Sequence, residues 1–324
     1  MRVAQYLLDA IQGELEKIER RRLAQAAARL TERYKAGNFS HPAIASDAER
    51  AAYLAVRFPA TYAANRRVFS EIALRAPHAE IRTLLDLGAG PGTALFAASE
   101  IFPKLETATL LEADERWVAI GKTLAEKSGP AAVPQPQWLR QDLRSGFSCA
   151  EHDLVVVSYA LGELAPAALE GVIRKAWSCA REFLAIIEPG TPRGFATVNA
   201  ARSALIAAGA EILAPCPHKR PCPMAAAADW CHFAQRLERT TEHRQLKGGA
   251  LGYEDEKFSY VIAARQSVAE QRARIVRHPG KHSGHIQLEL CTSKGRIESK
   301  MVTRSDKQAF RAARKAEWGD VWEE

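Results

Sequence analysis

The spacing of hydrophobic and polar residues changes twice along this 324-residue chain. Up to residue 75, apolar side chains recur every three or four positions, as at Leu8, Ile11, Leu15 and Ile18, which predicts helices. From residue 83, short apolar runs alternate with amphipathic stretches, a pattern typical of a parallel sheet covered by helices on both faces. Near the C-terminus, two alternating runs flank a polar, glycine-containing turn and predict a β-hairpin.

The apolar runs predict seven sheet strands, and the amphipathic stretches predict the helices between them. The strands are expected at residues 83–87, 107–111, 137–140, 154–158, 183–187, 211–213 and 258–263, with helices beginning near Thr93, Asp114, Pro166 and Phe195. The hairpin strands are expected at 285–291 and 296–303, followed by a basic helix at 306–322.

This order of elements predicts an α/β fold with a seven-strand doubly wound sheet, N-terminal helices and a small cysteine-rich, β-hairpin C-terminal unit. The expected divisions are a helical region at 1–75, a cofactor-binding domain at 76–213 and 258–266, a cysteine-rich basic unit at 214–257 and 267–305, and a C-terminal helix at 306–324.

No apolar stretch approaches the roughly 20 residues of a membrane span, and residues 1–6 do not open a signal peptide. We therefore expect an intracellular protein whose six cysteines stay reduced. Cys149 and Cys179 have no local motif and are predicted to be packing residues.

The formal charge of +7 is unevenly distributed. Residues 265–315 contain 13 Lys and Arg against 4 Asp and Glu, and residues 1–75 contain 13 against 8, so the centre of the chain is net negative. Two basic flanks around an acidic centre indicate a polyanion held by the ends, and nucleic acid is the commonest polyanion. A solvated basic surface is the alternative.

A glycine turn follows the first predicted strand, which ends at Asp86 and Leu87. Gly88, Gly90 and Gly92 give the spacing G-x-G-x-G, whereas a dinucleotide site needs G-x-G-x-x-G, so NAD and FAD are disfavoured. Glycines before a helix N-terminus let a cofactor approach backbone amides. The run D-L-G-A-G-P-G-T resembles the first motif of class I methyltransferases, which bind S-adenosylmethionine.

That resemblance gives roles to acidic residues at the strand ends. Glu112 ends the second strand and is expected to accept hydrogen bonds from the ribose hydroxyls, while Asp114 is expected to cap the next helix. Asp142 follows the third strand, where the superfamily contacts the adenine amino group. Asp86 completes the expected cofactor set with Gly88 and the other turn glycines. Ordinary loop carboxylates are the alternative for Glu112 and Asp142.

The segment after the fourth strand is where methyltransferases carry family-specific catalytic residues. Here it reads S-Y-A-L-G-E-L-A-P over residues 158–166, with neither the Asn/Asp-Pro-Pro-aromatic turn of amine methylation nor a cysteine nucleophile. Tyr159 and Glu163 are the only candidate catalytic groups, and Glu163 is equally suited to a helix entry.

Four further cysteines occur in proline-stiffened or hairpin contexts. Cys216 and Cys222 are each followed by proline, Cys231 lies nine residues after Cys222, and Cys291 ends a hairpin strand. Four thiolates in irregular backbone match the ligation of an iron-sulfur cluster. Zinc is the competing metal, although its cysteine pairs are usually only about two to four residues apart. Reduced, buried thiols without a metal are the remaining alternative.

Several motifs together resemble one family. They are the glycine turn, I-E-P-G-T-P at 187–192, C-P-H-x3-C-P at 216–223, W-C-H-F-x-Q-R at 230–236 and G-H-I-Q-L-E-L-C at 284–291. The chain resembles the methyltransferase-like small-ribosomal-subunit proteins, an assembly factor of mitochondria with bacterial relatives. The resemblance covers most of residues 40–305 and implies S-adenosylmethionine at the turn, a [4Fe-4S] cluster on the four cysteines, and binding to the small ribosomal subunit and its RNA.

The leading hypothesis is therefore a factor of small-subunit assembly that binds RNA and S-adenosylmethionine, with rRNA methylation as an open activity. The alternatives are a small-molecule methyltransferase with structural zinc and a non-catalytic RNA-binding scaffold. We expect a monomer without membrane contact, in the cytoplasm of a bacterium or in the mitochondrial matrix of a eukaryote.

Overall fold

The computed structural model describes residues 1–35, 44–129, 132–227, 229–247, 251–266 and 272–323. Eight strands form the central sheet: β1 Thr83–Leu87, β2 Thr107–Glu112, β3 Gln137–Arg140, β4 His152–Ser158, β5 Ala180–Pro189, β6 Glu211–Ala214, β7 Phe233–Glu238 and β8 Tyr253–Ala264. Their order is β3-β2-β1-β4-β5-β8-β6, with β7 beside the N-terminal half of β8. Strands β1 to β5 pair in parallel, and β8 runs antiparallel to its neighbours.

Eleven helices are present in the described residues: α1 Gln5–Leu15, α2 Arg20–Lys35, α3 Asp47–Val56, α4 Phe58–Arg75, α5 Thr93–Ile101, α6 Glu115–Ser128, α7 Pro166–Ser178, α8 Pro192–Ala207, α9 Pro223–Ala226, α10 Thr241–Lys247 and α11 Lys307–Lys315. Helices α1 to α6 lie on one side of the sheet, and α7 and α8 cover the other. None of the helices described is long and apolar enough to span a membrane.

The apolar strand runs exist because both faces of the sheet are buried. Successive strand residues point to opposite faces, so Leu84 packs under α4 and α5 while Leu85 packs against α7 and α8. Local signals fix the helix starts. Ser46 and Glu49 form a reciprocal capping box at α3, and Asp114 caps α6 as predicted.

The predicted α/β fold with a largely parallel, doubly wound sheet is confirmed. The prediction of seven strands is one short, because β7 lies within residues 214–257, the range expected to belong to the cysteine-rich unit. Its two inward apolar residues, Phe233 and Leu237, are four apart, so no alternation marks the strand. Helix α8 begins at Pro192, three residues before the predicted start.

A second, smaller sheet contains the predicted hairpin. Its strands are β9 Ala273–Ile275, β10 Gly280–Lys281, β11 His285–Cys291, β12 Ile297–Thr303 and β13 Val321–Trp322. Strands β11 and β12 form the hairpin, and α11 packs on both. The predicted helix at 306–322 is too long: the chain turns after Lys315, reverses through Gly319 (φ 95°), and pairs β13 with β9 to bury Trp322.

Cys149 and Cys179 form a disulfide, with their sulfurs 2.15 Å apart. The expectation that all six cysteines stay reduced is therefore wrong for this pair. The cause is strand register: His152 of β4 lies beside Ala180 of β5, which brings the residues just before both strands together. Cys179 is also buried in the core and Cys149 packs against it, so both have the packing role that was predicted.

Candidate cofactor cavity and cysteine centre

The glycine turn between β1 and α5 has a backbone that only glycine adopts easily. The φ angles of Gly88, Gly90 and Gly92 are 75°, 53° and 82°, in the region where other residues are strained. Space is also limited, because a Cβ on Gly88 would lie 2.7 Å from the Cβ of Ala160. The turn therefore stays open to a ligand and close to the segment after β4.

A cavity of about 320 Å³ lies over this turn, at the carboxyl ends of β1, β2, β3, β4 and β5. Ligands of open α/β sheets bind at this edge, and the volume is within the range of small-molecule sites. All but one of the sequence-predicted cofactor and catalytic candidates line this cavity: Asp86, Gly88, Gly90, Glu112, Asp142, Tyr159 and Glu163. The exception is Gly92, which is the N-cap residue of α5 and is not part of the lining.

Asp86 is the most unusual of these groups. Its side chain is only 1% exposed, and its Oδ2 atom has no hydrogen-bond partner in the described residues. Burial, with a smaller contribution from the charge of Glu112, raises its pKa to about 8. A buried carboxyl group without a donor is costly, so Asp86 is suited to a ligand that brings a donor or a positive charge.

Glu112 is held in place by backbone amides. Its two carboxylate oxygens accept hydrogen bonds from Gly90 N and Asp114 N, each at 2.8 Å. Burial raises its pKa, and these amides oppose the shift. Each oxygen keeps a second acceptor site, so Glu112 can still accept from ligand hydroxyls at the end of β2.

Asp142 performs a local structural task as well as lining the cavity. Its carboxylate accepts from Arg144 N at 2.9 Å, which caps the short 3-10 turn Leu143–Ser145, and it pairs with the Arg144 guanidinium at 2.8 Å. That guanidinium lowers the pKa of Asp142. The Asp142 carboxylate is therefore ionised at the cavity rim.

Of the two catalytic candidates, Tyr159 has a strained backbone with φ 58°. Its hydroxyl donates to Glu256 Oε1 at 2.9 Å, and Arg57 pairs with the same carboxylate at 3.0 Å. Glu163 is exposed at the cavity mouth. The Tyr159 hydroxyl is thus directed at Glu256.

Sequence reasoning missed Glu188, although it lies in the quoted I-E-P-G-T-P motif. Its side chain is 2% exposed, and Oε1 accepts from Leu161 N at 2.9 Å and Gly162 N at 3.4 Å. Burial raises its pKa to about 8. Its position at the end of β5 was the available signal, since strand ends in this fold line the site.

The N-terminal helices were assigned no chemistry from the sequence, yet α4 forms one wall of the cavity. Arg57, Thr61 and Asn65 recur every four residues and therefore share one helix face. Asn65 is fully buried, and its Oδ1 atom has no partner in the described residues. The periodic pattern of apolar residues predicted the helix, but it could not show that the polar face of the helix lines a cavity.

The four sequence-predicted metal ligands line a single smaller cavity of about 30 Å³ between the two sheets. Cys216 follows β6, Cys222 precedes α9, Cys231 precedes β7 and Cys291 ends β11. Arg202 of α8, Arg274 of β9 and His218 lie in the same lining. Topology alone thus brings together thiols that are separated by up to 75 residues in sequence.

The four thiols lie close enough together to shift one another's pKa. Burial raises the pKa of Cys231, and the other three cysteines raise it further; burial likewise raises the pKa of Cys291 to about 12. His218 Nε2 lies 3.4 Å from Cys291 Sγ. Within the described residues, no group of three or more His, Cys, Asp or Glu is arranged to hold a metal ion.

Two hydrogen bonds connect the cysteine segment to the central sheet, one of them at the end of β5, which lines the cofactor cavity. Trp230 Nε1 donates to Gly190 O at 3.1 Å, directly after β5. Ser259 Oγ of β8 donates to Cys231 O at 2.8 Å. The two sites therefore share structural elements.

The outer surface of the small sheet is strongly basic. Residues 294–315 carry eight Lys and Arg against two carboxylates, and all eight are exposed: Lys294, Arg296, Lys300, Arg304, Lys307, Arg311, Arg314 and Lys315. In the described part of the chain, none of the eight forms an ion pair. On α11 the cations occupy one side, while Ala309, Ala313 and Ala316 pack on the sheet. We call these eight residues the basic surface.

Comparisons with known proteins place most of the chain in one family. Residues 47–323 match the model of the family described as mitochondrial small ribosomal subunit Rsm22. The human ribosome assembly protein METTL17, mitochondrial, is 30% identical over 288 residues, which are 83% of this chain and 61% of that protein. The Rsm22-cox11 tandem protein 2, mitochondrial, of Schizosaccharomyces pombe is 25% identical over 332 residues, with 86% of this chain and 43% of that protein covered.

The chain therefore spans less than two thirds of the length of these curated relatives. Among solved structures, magnesium protoporphyrin IX methyltransferase of Synechocystis with bound SAH is 12% identical, with a TM-score of 0.43 over 74% of this chain and 100% of that chain.

Proposed function

Since the chain belongs to the mitochondrial small ribosomal subunit Rsm22 family, we propose that it is a methyltransferase-like factor that binds small-subunit RNA during ribosome assembly. Two of its relatives, from Homo sapiens and Saccharomyces cerevisiae, are named mitochondrial ribosome assembly proteins. It works wherever a small subunit is assembled, in the mitochondrial matrix of a eukaryote or in the cytoplasm of a bacterium. A small-molecule methyltransferase with structural zinc is not favoured by these relatives.

The observation that carries the proposal is the basic surface. Eight exposed cations without ion-pair partners among the described residues give a field of one sign, which suits a phosphate backbone. The basic surface lies on the small sheet, which also contributes Cys291. The cysteine centre is therefore in a position to hold this sheet, and the basic surface on it, in place.

S-adenosylmethionine is the cofactor that fits the large cavity best. Its sulfonium and ammonium groups are positive, and the cavity is lined by two buried carboxyl groups, of Asp86 and Glu188, and by the half-buried one of Glu112. Glu112 suits ribose hydroxyls, and Asp142 suits the exocyclic amine of adenine. The cofactor would supply an activated methyl group, while this chain's residues bind and orient it.

The four cysteines are proposed to hold a [4Fe-4S] cluster, with zinc as the competing metal. Four thiols around one small cavity are the donor set that both centres use. The residues that would hold the metal are Cys216, Cys222, Cys231 and Cys291. In this role the centre would join the segment before β7 to the hairpin and thereby organise the basic surface.

Methyl transfer to RNA is an open part of the function. Tyr159 is directed at Glu256, and neither of the usual catalytic motifs follows β4. Incubation with tritium-labelled cofactor and immature small subunits separates the possibilities: label in rRNA supports an enzyme, and its absence supports a cofactor-binding scaffold.

RNA binding is tested by measuring the affinity for small-subunit RNA at several salt concentrations. Replacing Arg311 and Arg314 together with Gln should reduce the slope of log affinity against log salt by about two, roughly one per lost phosphate contact. Lys175→Gln removes an exposed charge on α7 and is the matched control. Wild-type protein whose RNA affinity is absent or independent of salt would contradict the proposal.

A further inference from the structure

Arg202 is a buried cation beside the four cysteines. It lies on α8 with 4% exposure, and it lines the same cavity as the thiols. Its Nη2 atom donates to His218 O at 2.6 Å and to Arg220 O at 2.9 Å, which ties the Cys216–Cys222 loop to α8. Its Nε atom has no partner in the described residues.

No carboxylate of the described residues pairs with Arg202. The contrast with Arg274, which lines the same cavity, is informative. Arg274 donates from Nη1 and Nη2 to Glu71 Oε2, each at 3.1 Å, so its charge has a buried partner. Glu71 also pairs with Arg67 and Arg75, and the region therefore remains net positive.

A guanidinium group taken out of water without a counter-ion is strongly unfavourable. The groups that face Arg202 and can carry negative charge are the thiols. Arg202 and all four cysteines line the same cavity. Four thiolates around a zinc ion or a [4Fe-4S] core leave a net charge of about −2.

We propose that Arg202 is the built-in counter-charge of the metal centre, and that it positions the Cys216–Cys222 loop around that centre. The inference rests on the proposed metal binding and adds a residue outside the ligand set. Residues that contact metal ligands usually contribute to metal retention. Removing the charge of Arg202 should therefore lower the affinity of the centre for its metal.

The test compares wild-type protein with Arg202→Gln, Arg202→Lys and Arg220→Gln, all purified without oxygen. Arg220 is an exposed cation in the same loop, so it controls for loss of charge at the surface. Iron, sulfide and zinc are measured per chain while a chelator is titrated, and circular dichroism reports folding. Arg202→Gln should lose metal at about 10- to 100-fold lower chelator concentration, whereas Arg202→Lys and Arg220→Gln should resemble wild type.

If the metal is an iron-sulfur cluster, Arg202→Gln should also lower its reduction potential, because the reduced cluster carries one more negative charge. Retention of metal by Arg202→Gln as firmly as by Arg220→Gln overturns this inference alone. Wild-type protein without metal overturns the proposed centre as well. If Arg202→Gln does not fold, loss of metal from folded Arg202→Lys contradicts the role of the charge.

Discussion

Replacing Asp86 with Asn should stabilise the ligand-free protein and weaken cofactor binding. Burial raises the pKa of Asp86 to about 8, whereas an unfolded aspartate titrates near about 3.9. A raised carboxyl pKa costs stability above the unfolded value, and the cost grows until the pH reaches the folded value. At about 1.4 kcal/mol per pH unit, the cost reaches roughly 4 kcal/mol at pH 7 as an upper estimate.

The assay is urea unfolding of both proteins between pH 4 and pH 8, combined with calorimetric titration of S-adenosylmethionine. The difference in unfolding free energy between Asp86→Asn and wild type should be small near pH 4 and increase toward pH 8. Cofactor affinity should fall roughly tenfold to hundredfold, as for a lost charge-assisted hydrogen bond. A difference that does not change with pH, or unchanged affinity, would refute the reasoning.

Asp153 gives a control of opposite sign. It is also buried, but hydrogen bonds from Arg82 N at 3.0 Å and Thr83 N at 2.9 Å, with an Arg181 ion pair at 2.7 Å, overcome the effect of burial and lower its pKa. A lowered carboxyl pKa contributes stability above the unfolded value. Asp153→Asn should therefore lose stability at neutral pH, and the loss should shrink as the pH falls below about 4.

Three further predictions concern single residues. Gly88→Ala should abolish cofactor binding because its Cβ has no room, while Gly209→Ala, with a similar φ of 81° and open space, should only lose about 1 kcal/mol of unfolding free energy. Cys222→Ser should remove the metal measured by elemental analysis and leave cofactor affinity within error. Tyr159→Phe should lower the urea unfolding free energy by about 2 kcal/mol through its lost bond to Glu256, with little change in cofactor affinity.

The fold was predictable where local pattern and tertiary structure agree. Strand β1, which contains Leu84 and Leu85, was predicted correctly because burial on both faces makes the whole run apolar. Strand β7 was not predicted, because it lies at the sheet edge and only Phe233 and Leu237 are directed inward. The β13 strand is two residues long, and its pairing with β9 is a tertiary contact that no local pattern records.

The site residues that the sequence predicted are those whose backbone conformation requires a particular residue type. Gly88 and Gly90 could be recognised because their positive φ angles favour glycine over other residues. Asn65 and Arg202 are single polar residues on helices, and their burial depends on which elements pack over them. The Cys149 pairing with Cys179 depends likewise on the register of two parallel strands.

The most direct test of the proposed function is co-sedimentation of the metal-loaded chain with immature small ribosomal subunits at near-physiological salt. We expect stoichiometric binding to immature small subunits, little binding to large subunits, and a marked loss with the Arg311 and Arg314 double variant. Equal binding to both subunits, or no binding to the small subunit, would contradict a role in small-subunit assembly.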